Sequence, residues 1–138
     1  MAKIVIDSNV VIAYLDDANS NHVEAFRSMS NPQIEVGVSA LTMTECLIHA
    51  FRDSYEFALK VVIEIERFVS FILELNREIA ILAAHLSAKF QLNLADSIIL
   101  ATEQHHELEL WTFDKRLASK SARAKYLLNR VLGELPSE

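Results

Sequence analysis

One cysteine, two glycines and two prolines in 138 residues set the first limits on what this chain can be. The lone thiol, Cys46, forms no internal disulfide, and without a second cysteine the thiolate-rich zinc patterns are excluded too. Cys46 therefore reads as a small buried hydrophobe. So little glycine and proline rules out collagen-like or disordered chains, and together with 51% hydrophobic residues it fits a compact, helix-rich fold. No apolar run approaches the roughly 18 residues that a membrane span needs. Met1-Ala2-Lys3 leads into a strand-like run rather than a signal-peptide pattern. The expectation is a soluble, cytoplasmic protein with one domain spanning residues 1–138, a length that suits one core and not two.

Positive charge is scarce and unevenly placed. The formal net charge is −6, yet the six basic residues from Lys115 to Arg130 (Lys115, Arg116, Lys120, Arg123, Lys125, Arg130) stand with no acid among them. Taken alone, such a run is more often a solvated helix face than a nucleic-acid contact.

What the chain does have is apolar runs that stop at carboxylates. In KIVIDSNVVIAYL, the β-branched Ile4-Val5-Ile6 reads as a strand buried on both faces, as in a parallel sheet, and ends at Asp7. Ligands of open α/β sheets gather beyond the carboxyl ends of strands, so Asp7 is a site candidate. It is equally a helix N-cap. A helix capped by Ser20 is expected through Met29, then a strand over 34–38 after Asn31-Pro32. The following ALTMTECLIHAF places Glu45 one turn beyond that strand's end, where it can overhang the same edge as Asp7. Thr42 to Glu45 also spells an S/T-x-x-E capping box, which would give Glu45 a purely structural task.

After Asp53-Ser54, YEFALKVVIEI is apolar on nearly every face. Phe57, Val61 and Ile65 are expected to face the core, leaving Leu59, Val62 and Ile63 for a second copy of the chain. A strand from Phe68 to Leu73 precedes a helix capped by Asn76, with Ile79, Leu82, Ala83, Leu86 and Phe90 at clean helical spacing. Asn93 caps the next helix, whose third residue is Asp96; there the helix dipole alone would stabilise it by about 0.3–1 kcal/mol. Leu108 to Phe113 repeats the opening pattern, a strand ending in Asp114. Strands alternating with helices predict right-handed βαβ units and an α/β fold with a central parallel sheet.

Singly, Asp7, Glu45, Asp96 and Asp114 are ordinary caps or turn residues. All four, however, fall at a strand's carboxyl end or within a turn of the helix entering there, so a parallel sheet gathers them on one edge. Two carboxylates about 5 Å apart repel by roughly 3 kcal/mol at an effective dielectric of 20, which calls for a cation. Oxygen-only ligands select a hard ion, Mg²⁺ or Mn²⁺, over zinc. Asn9 and Thr112 are placed to hydrogen-bond and orient the carboxylates.

These blocks, Asp7 in VIDSNVVIAYL, Glu45 in SALTMTECLIHA, Asp96 in LNLADSIILATE and Asp114 in LWTFDKRL, resemble the acidic blocks of PIN-domain ribonucleases, particularly the VapC-type toxins. The likeness runs over nearly the whole chain, and the tail from Ala118 carries no pattern of the family. It implies a three-layer α/β/α sandwich, metal-dependent RNA cleavage with Asp7, Glu45, Asp96 and Asp114 as the acidic quartet, homodimerisation, and inhibition by a cognate antitoxin. In that setting Lys115, Arg116 and Lys120, directly after Asp114, become the first candidates for RNA phosphate contacts.

Two rival readings compare poorly with the residues present. Phosphoryl transfer through an aspartate, as in haloacid-dehalogenase phosphatases or response-regulator receivers, lacks its acids: Asn9 stands two residues after Asp7, and Leu73-Glu74-Leu75 offers no acceptor aspartate. The non-enzymatic rival is a catalytically silent PIN-like module that binds protein or RNA. His105-His106, at a helix end against the negative dipole, is left out of the site, and Trp111 is expected to pack rather than stack on a base.

Overall fold

A computed structural model of the chain describes residues 1–128. Arg130, the last residue of the basic run, lies outside the described residues. The elements run β1 (Ala2–Ile6), α1 (Ser8–Leu15), α2 (His22–Met29), β2 (Ile34–Ser39), α3 (Ala40–Asp53), α4 (Tyr55–Phe68), β3 (Phe71–Leu73), α5 (Arg77–Phe90), α6 (Leu94–His106), β4 (Glu109–Thr112), α7 (Lys115–Ala118) and β5 (Ala124–Tyr126).

All strand pairs are parallel, and the five strands stand in the order β3-β2-β1-β4-β5. β1 is central, as its continuous apolar run requires: Ile4, Val5 and Ile6 are buried, and Val5 lies opposite Gly37 on one side and Leu110 on the other. Successive side chains leave a strand on opposite faces. Ile4, Ile6, Val36, Val38 and Trp111 accordingly join one core with Ala13, Ala25, Cys46 and Ile65 of α1 to α4. Val5 and Leu110 join a second core with Ile79, Ala83, Leu86, Ile99 and Leu100 of α5 and α6. Two cores separated by one sheet make the three-layer α/β/α sandwich. Trp111 packs into the first, as expected.

Helix starts follow local chemistry. Ser39, Ser54, Asn76 and Asn93 each accept the backbone N–H three residues on, at 2.8–3.1 Å, a cap typically worth about 1 kcal/mol. The cap at Ser39 overturns the capping-box reading of Thr42 to Glu45. Thr42 is already the third residue of α3, so Glu45 lies in the second turn and its carboxylate is not consumed at the helix start. Three further expectations shift. The cap position of α2 is Asn21 rather than Ser20. Phe68 ends α4 instead of opening a strand, because its ring stacks on Tyr14 with centroids 4.4 Å apart and the extended chain resumes only at Phe71. On α4 the inward line is Ala58, Val61, Ile65 and Phe68, so Phe57 is exposed, beside Leu59 and Ile63. The strand β5 was not anticipated.

Gly37 is a close-approach position. A Cβ there would lie 2.1 Å from Cε2 of Phe71, so the missing side chain is what lets the Phe71 ring lie across β2.

Candidate active site

The strand order reverses direction between β1 and β4, and crevices at such a switch point, outside the carboxyl ends of the strands, are where open α/β sheets take ligands. β1 delivers Asp7 to that crevice and β4 delivers Thr112 and, two residues on, Asp114. The two ends are stitched together. Asp7 N–H donates to the Trp111 carbonyl at 3.1 Å. The Thr112 hydroxyl donates to Oδ2 of Asp7 at 2.9 Å and accepts the Asp114 N–H at 2.9 Å. Asn9 spans the crevice: its amide donates to Thr112 Oγ1 at 3.2 Å, lies 3.4 Å from Asp7 Oδ2, and its carbonyl accepts Phe113 N–H at 3.1 Å.

Capping and site placement turn out to be compatible. Asp7 caps α1 through Ser8 N–H at 2.8 Å, and Asp114 caps α7 through Leu117 N–H at 3.1 Å. In each case one oxygen serves the helix. The second oxygen of Asp7 is held by Thr112.

Asp96, on the first turn of α6, and Glu45, on the second turn of α3, complete the group. Burial raises the Asp7 pKa above the ordinary carboxylate value, and the charges of Asp96 and Asp114 raise it further against the hydrogen bonds from Thr112 and Ser8. Burial likewise raises Glu45, with Asp7 and Asp96 adding to it and the Ser8 hydroxyl pulling the other way. Asp96 is raised by burial and then by Asp114, while Arg116 lowers it. The four acids thus lie close enough to load one another electrostatically, as their order in the fold requires. Among the described residues, no three His, Cys, Asp or Glu side chains are already arranged as a ligand set for a metal ion. The donor chemistry nevertheless fits a hard divalent cation: every donor is a carboxylate oxygen, and the charges of neighbouring acids add to the effect of burial on Asp7, Glu45 and Asp96.

Of the basic candidates, Arg116 acts directly on Asp96. Lys120 instead stands over the ring of Phe90, its Nζ 5.7 Å from the centroid, and Lys115 opens α7 as an exposed residue. His105 and His106 sit exposed at the far end of α6. Sequence reasoning passed over two residues. The Ser8 hydroxyl hydrogen-bonds Glu45 and lowers its pKa against burial. Glu103, two turns after Asp96 on α6, is fully buried with no hydrogen-bond partner for either oxygen. The spacing of seven from Asp96, on the same helix face, was the available signal.

Known proteins place this arrangement. No curated protein matches the sequence. Among solved structures, a chain of a toxin–antitoxin complex from Klebsiella pneumoniae is 26% identical, with a TM-score of 0.71 and coverage of 91% of this chain and 98% of the other. DNA-bound VapBC from Salmonella typhimurium matches at 20% identity and a TM-score of 0.71, over 93% of this chain and 100% of that one. The sarcin-ricin loop cleaving toxin VapC20 of Mycobacterium tuberculosis matches at 14% identity and a TM-score of 0.70, over 84% and 93%; these last two likenesses speak to the fold. The PIN domain family matches residues 4–122, a stretch that takes in all four acids and stops short of β5. On that match the chain belongs to the PIN domain family.

Proposed function

We propose that this protein is a divalent-metal-dependent endoribonuclease, hydrolysing RNA phosphodiester bonds as the toxin of a type II toxin–antitoxin pair. The observation that carries the reading is the gathering of Asp7, Glu45, Asp96 and Asp114 at the β1/β4 switch point with Arg116 beside them. Membership of the PIN family and the 26% identity to a chain of a toxin–antitoxin complex support it.

Asp7, Asp96 and Asp114, with Glu45 directly or through water, would hold Mg²⁺ or Mn²⁺. When bound, such an ion supplies Lewis acidity: it offsets charge on the scissile phosphate and makes a water more acidic. The protein supplies the rest. Thr112, Ser8 and Asn9 fix the carboxylate of Asp7 in one orientation. Glu45, half-buried with its pKa raised, is the carboxylate placed to take a proton from the attacking water. Arg116 is placed for a non-bridging phosphate oxygen, as a planar fork suited to that geometry.

The proposal extends to where an antitoxin would dock. An apolar groove of about 740 Å³ between α1, α2, α3 and α4, lined by Ile12, Tyr14, Phe26, Ala50, Phe57 and Val61, is the seat we assign to it. The complexes formed by structural neighbours support that occupant. Homodimerisation would use the outer side of α4, where Leu59 and Ile63 are exposed. Among the described residues no helix is long and apolar enough to cross a membrane.

The test is cleavage of labelled RNA by the purified chain with Mg²⁺ or Mn²⁺. The expected result is cleavage that disappears in chelator and in Asp7→Asn, with the variant still folded by circular dichroism. Binding of RNA without cleavage in either metal would instead favour the silent binding module.

A further inference from the structure

The basic segment after Asp114 divides into two places. The charge of Arg116 reaches Asp96, whereas Lys120 and Arg123 line a groove of about 660 Å³ together with Leu82 of α5, Gln104 and Glu107 of α6, and Ser121. α5 and α6 pack side by side, and Gln104 lies eight residues beyond Asp96, about 12 Å along the helix axis. Lys120 also reaches the ring of Phe90, the last residue of α5, which carries two ammonium groups: Lys89 Nζ at 5.2 Å and Lys120 Nζ at 5.7 Å from its centroid.

Two cations gathered on one aromatic ring are attracted to its quadrupole, and neither is in an ion pair with a described carboxylate, so their charge is available to an anion. Arg123 lines the groove with Lys120, and the groove's one exposed acid, Glu107, stands on the α6 side. The other nearby acid, Glu103, is fully buried. Lys120 links the two features, reaching the Phe90 ring beside Lys89 and lining the groove beside Arg123, so these three cations form one line.

We propose that this line is the seat of the single-stranded RNA adjoining the cleaved bond, with Lys89, Lys120 and Arg123 on successive phosphates. The proposal rests on the ribonuclease reading for its substrate, but the contacts need neither metal nor cleavage. Backbone contacts of this kind give affinity without sequence choice and make binding fall steeply with salt. They predict that longer strands bind more tightly than fragments too short to reach Arg123.

The experiment measures binding of a fluorescein-labelled single-stranded RNA of about 12 nucleotides to the full chain in chelator, by anisotropy across a salt series. The variant is Lys89→Ala/Lys120→Ala/Arg123→Ala; the control, with the same charge change, is Arg52→Ala/Arg67→Ala/Arg77→Ala. The first is expected to lose at least about tenfold in affinity at low salt and to flatten the log–log salt slope by about 2, near 0.7 for each lost contact. The control is expected to match wild type. Lys89→Arg/Lys120→Arg/Arg123→Lys, which keeps the charge, should bind within a few fold of wild type. Wild-type binding by the alanine variant, equal loss in the control, or loss confined to a protein partner would each overturn the proposal. If wild type cleaves no RNA yet the alanine variant alone loses binding, the ribonuclease reading fails and the groove assignment stands. If wild type cleaves and the alanine variant binds normally, the reverse holds.

Discussion

At the scale of single residues, the most costly group outside the candidate site is Glu103. Its side chain is fully buried and neither oxygen makes a hydrogen bond. Burial raises its pKa, while the Ser121 hydroxyl and the Arg123 guanidinium lower it in part without reaching either oxygen in ordinary hydrogen-bond geometry. A carboxylate whose folded pKa lies above its unfolded value favours the fold while protonated. That contribution is full below the unfolded value and is lost as pH rises through the folded one. Glu103→Gln is therefore expected to be more stable than wild type at about pH 8, by about 1–3 kcal/mol, with the margin closing toward about pH 4. Urea denaturation at the two pH values checks this; an unchanged margin would mean that Glu103 does not titrate in this range. Cys46 gives a second residue-scale prediction. Burial, then the charges of Glu45 and Asp7, push its thiol up to about 12, so a disulfide reagent at about pH 8 meets almost no thiolate. Modification should wait on opening of the fold and accelerate in step with added denaturant. Immediate reaction of the native protein would contradict the assignment.

At the scale of elements, the sheet depends on close approaches that only small residues permit. β3 has three residues, all half-buried, and its Phe71 lies over Gly37 of β2. Gly37→Ala should cost about 1–3 kcal/mol by displacing the ring, and Phe71→Leu in that background should recover most of the loss. A thermal-denaturation double-mutant cycle separates this from a backbone effect, because no coupling between the two positions would exonerate the ring. Element boundaries were legible where a side chain caps a helix, as at Asn76 and Asn93. Where two caps compete, an alternative stays open. Ser39 and Thr42 are both good caps; the helix expected directly after Ser39 is the one that forms, and the choice follows from where β2 ends, which is settled by pairing with β1 and β3. On α4 the expectation held for Val61 and Ile65 and failed only at Phe57: the sequence is apolar all round, and contact with Tyr14 and the sheet selects Ala58 and Phe68 to join the inward side instead.

At the scale of the whole molecule, the proposed metal site would link stability to metal occupancy through the four acids. A divalent ion that binds only the folded state should stabilise it by about 2.7 kcal/mol at 100 times its Kd, so melting temperature should rise with added Mg²⁺ or Mn²⁺ and fall back in chelator. Asp7→Asn keeps an oxygen for Ser8 N–H and removes a buried charge that Asp96 and Asp114 repel. In chelator it should melt above wild type, and it should no longer respond to metal. A lower melting temperature in chelator would return Asp7 to a purely structural role as the cap of α1 and the link to β4.

The order of strands and helices, the central place of β1 and the positions of the four acids were written in the sequence, because each depends on local pattern: β-branched runs, caps, and a carboxylate where a run stops. Asp7 itself could not be resolved that way. Whether it did more than cap a helix was open until Thr112 and Asn9, over a hundred residues apart in the chain, were seen to meet it. The strand β5 was hidden for a related reason. Ala124-Lys125-Tyr126 is short and polar, with no apolar run to announce it, and it becomes a strand because β4 presents an open edge beside it. Local periodicity determines elements; pairing across the sheet, which joins segments distant in sequence, decides what those elements bring together.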